Sequence, residues 1–160
     1  MPGIATIGIY GFDLSAFLDV LDSAEVEVVI DVRQRRGVRG SRYAWANSLR
    51  LQAALGEAGI GYRHMKELAP TTELRELQYR EDARRGEGKR SRTVLAPEYV
   101  RLYTQTILEH ADLDAIGEIS SETRLALLCV ERDPEACHRS LIAERLQRDW
   151  GLPPTHLRPA

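Results

Sequence analysis

Between Cys129 and Arg139 the chain reads CVERDPEACHR, which sets two thiols, one imidazole, three carboxylates and two guanidinium groups within eleven residues. Two kinds of chemistry suit that set. At a helix amino terminus, unpaired N–H groups and the positive end of the dipole favour an anion, and Arg139 with Arg33 would add a bidentate clamp. A phosphate-bearing ligand is therefore one reading. The same field lowers the pKa of a thiol, which makes Cys137 beside His138 and Arg139 a candidate nucleophile, with His138 or His64 as its base. A helix starting at Asp133 and Pro134 would instead enclose Cys137, and the sequence leaves that boundary open. Zinc is not expected. Cys129, Cys137, His138 and a carboxylate are suitable ligand types, but neighbouring Cys and His on a helix point about 100° apart and no second pair is spaced to close a site.

A second cluster lies upstream. From Val32 to Gly56 there are six arginines, Arg33, Arg35, Arg36, Arg39, Arg42 and Arg50, with no acid among them. Tyr43 and Trp45 are interleaved with these cations, and arginine with aromatics is a means of holding phosphates and stacking bases. Each feature also has a purely structural reading. Charge-rich loops are commonly just solvated, Cys129 within LALLCV reads as a core thiol, and Asp31 and Glu131 would pair with Arg33 and Arg139 to tie strand ends together. His64 reads equally as a half-buried strand residue.

Positioning these residues requires alternating strands and helices. Ala5 to Tyr10 is a short apolar strand. Asp13 caps a helix with Leu14, Phe17, Leu18 and Leu21 on one face, ending near Ser23. Val28 to Val32 is a second strand. A helix opening at Asn47 or Ser48 buries Leu51, Ala54, Leu55 and Ala58 before Gly59, and Gly61 to His64 is a third strand. The segment 67–93 carries both signs of charge without sustained apolar periodicity and reads as a variable, mobile excursion. Pro97 starts a helix with Val100, Tyr103 and Ile107 on one face, reaching about His110. Arg124 to Val130 is the strongest strand. A helix through Leu141, Ile142, Leu146 and Trp150 then ends at Gly151, and Thr155 to Leu157 adds an edge strand. The pattern predicts one three-layer α/β domain over 1–160, Rossmann-like, with a largely parallel sheet and helices on both faces. Ligands of such folds bind beyond the carboxyl ends of the strands, where Tyr10, Asp31, Arg33, His64, Cys129 and Glu131 would collect.

Composition sets the outer bounds. With 160 residues, 43% hydrophobic and 29% charged, the chain is of ordinary globular make-up and long enough to bury a core without disulfides or metal. A net charge of -2 offers nucleic acid no general attraction. The longest apolar run, Leu125 to Val130, falls far short of the roughly 20 residues of a membrane helix. The first thirty residues lack Lys and Arg, so a cytoplasmic protein without a targeting signal is expected.

One resemblance adds to this. The string from Leu127 to Arg139, with Thr6-Ile7-Gly8, Asp31-Val32-Arg33 and Ser41-Arg42, resembles the family known as domain of unknown function 488, over nearly the whole chain. It implies a single α/β domain with these residues at one site and supplies no reaction. The chain departs from the family pattern at Leu68-Ala69-Pro70, where relatives carry a Gly-Gly pair, and at Gly8-Ile9-Tyr10, where they carry Gly-His-Ser.

The expectation is a site for a phosphate-bearing ligand, nucleic acid or a nucleotide, at the carboxyl edge of the sheet. Arg33, Arg42 and Arg139 would bind phosphate while Tyr43 and Trp45 stack, and no cofactor or membrane is involved. The alternative is a thiol-dependent enzyme acting on a small metabolite, with Cys137 as nucleophile and His138, Glu131 and Asp31 in support. A partner-binding module without chemistry is the third class.

Overall fold

Apolar residues alternate between two cores along the central strands of the computed structural model, which describes residues 2–88 and 90–160. Among these, five strands form one sheet: β1 (Gly3–Ile7), β2 (Val28–Asp31), β3 (Gly61–His64), β4 (Arg124–Leu128) and β5 (Pro154–Leu157). Their order is β3-β2-β4-β1-β5, and every pairing is parallel. Ala5, Ile7, Val29, Ala126 and Leu128 face α1 (Leu14–Ser23) and α2 (Ser48–Glu57), which bury Phe17, Leu21, Leu51 and Leu55 against them. Ile4, Ile30, Leu125 and Leu127 face the opposite layer. That layer holds α3 (Thr72–Arg84), α4 (Pro97–Thr106), α5 (Asp114–Glu122) and α6 (Arg139–Trp150). The three-layer, Rossmann-like architecture predicted from the sequence is the one observed. No helix is long and apolar enough to cross a membrane among the described residues.

The helix starts follow from local chemistry. The Asp13 side chain accepts the Ala16 N–H at the head of α1, and Pro97 occupies the first turn of α4. The α4 face differs from the expected one: Tyr99 and Tyr103, one turn apart, are buried, while Val100 is only half-buried. The helix gives way at Ile107 to a tighter turn over Leu108–His110.

The segment 67–93 is more ordered than its charge pattern suggested. It contains α3, capped by the Thr71 hydroxyl accepting from Leu74 N–H and followed by Gly86 in the left-handed region. The buried residues of α3 are Leu74, Gln78 and Asp82, a helical stripe in which only the first is apolar. Hydrophobic periodicity is blind to such a stripe. The helix α5 was likewise hidden in an acidic stretch. Its Gly117 lets the Trp150 ring lie where a Cβ would be 2.5 Å from it.

The strands β1 and β4 end earlier than the apolar runs implied. After Ile7 the chain bends so that the N–H groups of Ile9 and Tyr10 both donate to the Val130 carbonyl, each at 3.0 Å. At Gly8 a Cβ would stand 1.9 Å from the Glu131 carbonyl oxygen, so only glycine lets the two loops approach this closely.

Candidate active site

The chain leaves β2 toward α2 on one face of the sheet and leaves β4 toward α6 on the other. Adjacent parallel strands whose connections depart to opposite faces open a crevice at their carboxyl ends. A cleft lies there. Its floor comes from Arg33, Gln34 and Arg35 after β2, from Cys129, Val130 and Glu131 after β4, and from Ala136, Cys137 and His138 before α6. Its wall comes from Pro70, Arg75, Gln78, Tyr79, Arg92, Leu95 and Tyr99.

The loop after β2 is fixed by a buried ion pair. Arg33 donates from Nε to Asp31 Oδ1 and from Nη2 to Asp31 Oδ2, both at 2.9 Å, and from Nη1 to the Ala46 carbonyl at 3.0 Å. Asp31 also accepts the Arg33 N–H at 3.1 Å and the Tyr62 hydroxyl at 2.5 Å. A carboxylate this buried is tolerable only because both oxygens are hydrogen-bonded. His64 pins the same loop through Nε2, 2.9 Å from the Arg33 carbonyl.

The segment before α6 settles the boundary left open by the sequence. Pro134–Ala136 forms a short 3-10 turn, Cys137 is extended (φ -138°, ψ 146°), and His138 caps α6. Cys137 therefore lies ahead of the helix, not within it. The divergence expected for adjacent helical residues does not apply: Cys137 Sγ is 3.6 Å from His138 Nδ1. Cys129 Sγ is 3.5 Å from the same nitrogen, and the three atoms lie within 4.8 Å of one another. His138 Nε2 is 2.8 Å from the Val32 carbonyl. A carbonyl only accepts, so Nε2 carries a proton and Nδ1 faces the sulfurs.

The electrostatics separate the two thiols. Burial opposes ionisation of Cys137, but a hydrogen bond from Cys129 and the charges of His138 and Arg139 outweigh it, holding this thiol well below its ordinary range. Burial, then the Cys137 thiolate and Glu131, push Cys129 well above that range. Burial would lower His138, yet the thiolate beside it and the Val32 carbonyl raise it. One S–H cannot serve both Glu131 and the Cys137 thiolate. It turns either to the thiolate or to Glu131 Oε2, 3.3 Å away, and the imidazolium stays beside the thiolate in both orientations.

Two further arginines brace the site. Arg139, wholly buried, donates from Nη1 to the Glu131 carbonyl at 2.6 Å and from Nη2 to the Arg132 carbonyl at 3.1 Å. Arg92 spans wall and floor, donating to Asp82 Oδ2 at 2.9 Å and to Glu131 Oε1 at 2.6 Å. Gln78 completes the wall by donating to Asp82 at 2.9 Å and accepting the Ala96 N–H at 2.9 Å.

The family profile described as "Domain of unknown function DUF488" matches residues 13–146, most of the chain. The chain belongs to this family. Neither the curated proteins nor the solved structures contain a match to it.

In this DUF488 chain, Asp31, Glu131 and Arg139 gather at the carboxyl edge of the sheet, as the alternation of elements required. Cys129, Glu131, Cys137, His138 and Arg33 meet in the cleft. Several expected ligand contacts fall elsewhere. Arg33 and Arg139 are turned inward onto protein acceptors, which is the structural reading given for Arg33 and Asp31. Glu131 differs from that reading: its carboxylate pairs with Arg92, and Arg139 takes its backbone carbonyl. Tyr43 is buried, its hydroxyl accepting the Gly11 N–H at 3.0 Å, and the half-buried Trp45 packs on Phe17 with ring centroids 5.0 Å apart. Arg42 is exposed, 5.1 Å over the Tyr43 ring, and does not line the cleft. The sequence reading missed Gln78, Asp82 and Arg92. The caps Thr71 and Gly86 were the available signal for the helix that carries the first two.

Proposed function

We propose that this protein is a thiol-dependent enzyme acting on a small molecule in the cleft between β2 and β4, with Cys137 as nucleophile. One observation carries this reading: His138 is oriented by the Val32 carbonyl through Nε2 while Nδ1 faces Cys137 Sγ. Nucleophile, base and orienting group in series are the arrangement that activates a thiol. The thiolate attacks an electrophilic centre of the substrate and becomes covalently bound to it, and the imidazolium Nδ1–H protonates the leaving group. Arg35 and Arg75 at the cleft favour a substrate carrying negative charge. Asp31 holds the β2 loop in place through Arg33, and Glu131 holds Arg92 and Cys129. Mass-resolved alkylation with iodoacetamide tests the reading. Cys137 is expected to react near neutral pH much faster than Cys129, and equal rates would remove it.

A phosphate-bearing ligand is the second reading, and the exposed Arg42 and Arg90 support it. Both guanidinium groups lie over Tyr43, at 5.1 and 5.2 Å, as a small cationic surface. It ranks second because those same cations cover the aromatic ring that a base would use.

A further inference from the structure

We propose that Cys129 and Cys137 act together as a dithiol that reduces a small disulfide entering the cleft, with Cys137 attacking and Cys129 resolving. This rests on the reading of Cys137 as the nucleophile and names the substrate class for that site. The observation behind it is that both sulfurs border the same cleft and address the same imidazole nitrogen, at 3.5 and 3.6 Å. Their separation is within 4.8 Å, against about 2.05 Å for a sulfur–sulfur bond, so joining them is a local adjustment.

Each sulfur has its own proton partner. In the first step the Cys137 thiolate attacks R–S–S–R′, a Cys137–S–S–R bond forms, the original sulfur–sulfur bond breaks, and R′–S⁻ takes the proton from His138 Nδ1. In the second step Cys129 gives its proton to Glu131 Oε2, the acceptor 3.3 Å away, and its thiolate attacks Cys137 Sγ. The Cys129–Cys137 disulfide forms, R–S⁻ departs, and the Glu131 proton passes to it. The protein loses two electrons and two protons, and the substrate gains both as R–SH and R′–SH. The assignment of roles follows the environments: the low-pKa thiol beside the imidazolium attacks first, and the thiol held protonated by Glu131 waits.

The test uses the full chain, reduced and then exposed to glutathione disulfide, with acid quench and intact mass. Wild type is expected to become lighter by two hydrogen atoms, to resist alkylation at both cysteines, and to recover both thiols with dithiothreitol. Cys129→Ser is expected to stop at a stable glutathione adduct on Cys137, and Cys137→Ser to acquire its adduct at least about tenfold more slowly. Wild type that stops at a persistent glutathione adduct, without an internal bridge, overturns the dithiol while leaving Cys137 as the nucleophile. Wild type in which iodoacetamide does not prefer Cys137 overturns both readings. Because these two results come from the unmutated protein, a variant that fails to fold does not blunt the test.

Discussion

The imidazole of His138 donates its Nε2–H to the Val32 carbonyl 2.8 Å away, and that single bond turns Nδ1 toward both cysteines. The orientation comes from the backbone at the end of β2, so the Cys137–His138 pair before α6 depends on a strand more than a hundred residues earlier in the chain.

Alkylation of Cys137 is expected to follow a pH profile displaced to the acid side of an ordinary thiol, whose pKa is about 8.5. The sign follows from the environment: a group held below its unfolded value gives up its proton earlier, so thiolate is already present where a free cysteine is still protonated. His138→Gln removes the cation beside it and should move the profile back up. An unchanged profile in that variant would contradict the ion pair.

Stability should show the same linkage. The contribution of the Cys137 thiolate is present above the unfolded thiol value and is lost as pH falls through the lower folded value. That of His138 runs the other way, present below the unfolded imidazole value and lost as pH rises through the higher folded one. Denaturant titrations should therefore find the Cys137→Ser variant less dependent on pH than wild type.

Arg33→Ala should destabilise the fold by about 3–5 kcal/mol, because it leaves the buried Asp31 carboxylate without its bidentate partner. Replacing both residues, with Asp31→Leu and Arg33→Met, should restore much of that loss. Chemical denaturation of the three proteins measures it, and a fully stable Arg33→Ala variant would return this arginine to ligand binding.

Gly8→Ala should cost about 1–3 kcal/mol or prevent folding, since its Cβ would overlap the Glu131 carbonyl and force apart the loops after β1 and β4. Thermal melts and soluble yield check this.

Zinc in the purified protein should be far below one equivalent. Cys129, Cys137 and His138 offer suitable atoms within 4.8 Å, so near-stoichiometric zinc surviving dialysis would make them ligands and displace the nucleophile reading.

How much of this was legible beforehand depended on whether a residue announced itself by hydrophobicity. Phe17 and Leu21 on α1 and the apolar run of β4 did, and the order of elements followed. Asp31, Glu131, Cys137 and His138 were legible because strand ends and the following loop concentrate polar groups at one edge. The wall of the cleft was not, because Gln78, Asp82 and Arg92 bury polar side chains against one another and satisfy their hydrogen bonds internally. Such a surface looks solvated in a sequence. The inward turn of Arg33 onto Asp31 was one of two readings the sequence left open, since the residue type alone does not say whether a ligand or the nearby carboxylate takes the guanidinium.

The division of the cleft between two stretches of chain has a consequence for selectivity. The floor with its two thiols is written into strand ends and the turn before α6, where a change of one residue disturbs the sheet. The facing wall is carried by a polar crossover between β3 and α4, joined to the floor through the Arg92–Glu131 bridge. On the proposed reading, substitution of the exposed Tyr79 changes what the cleft admits while leaving the thiols and the imidazole beneath it in place.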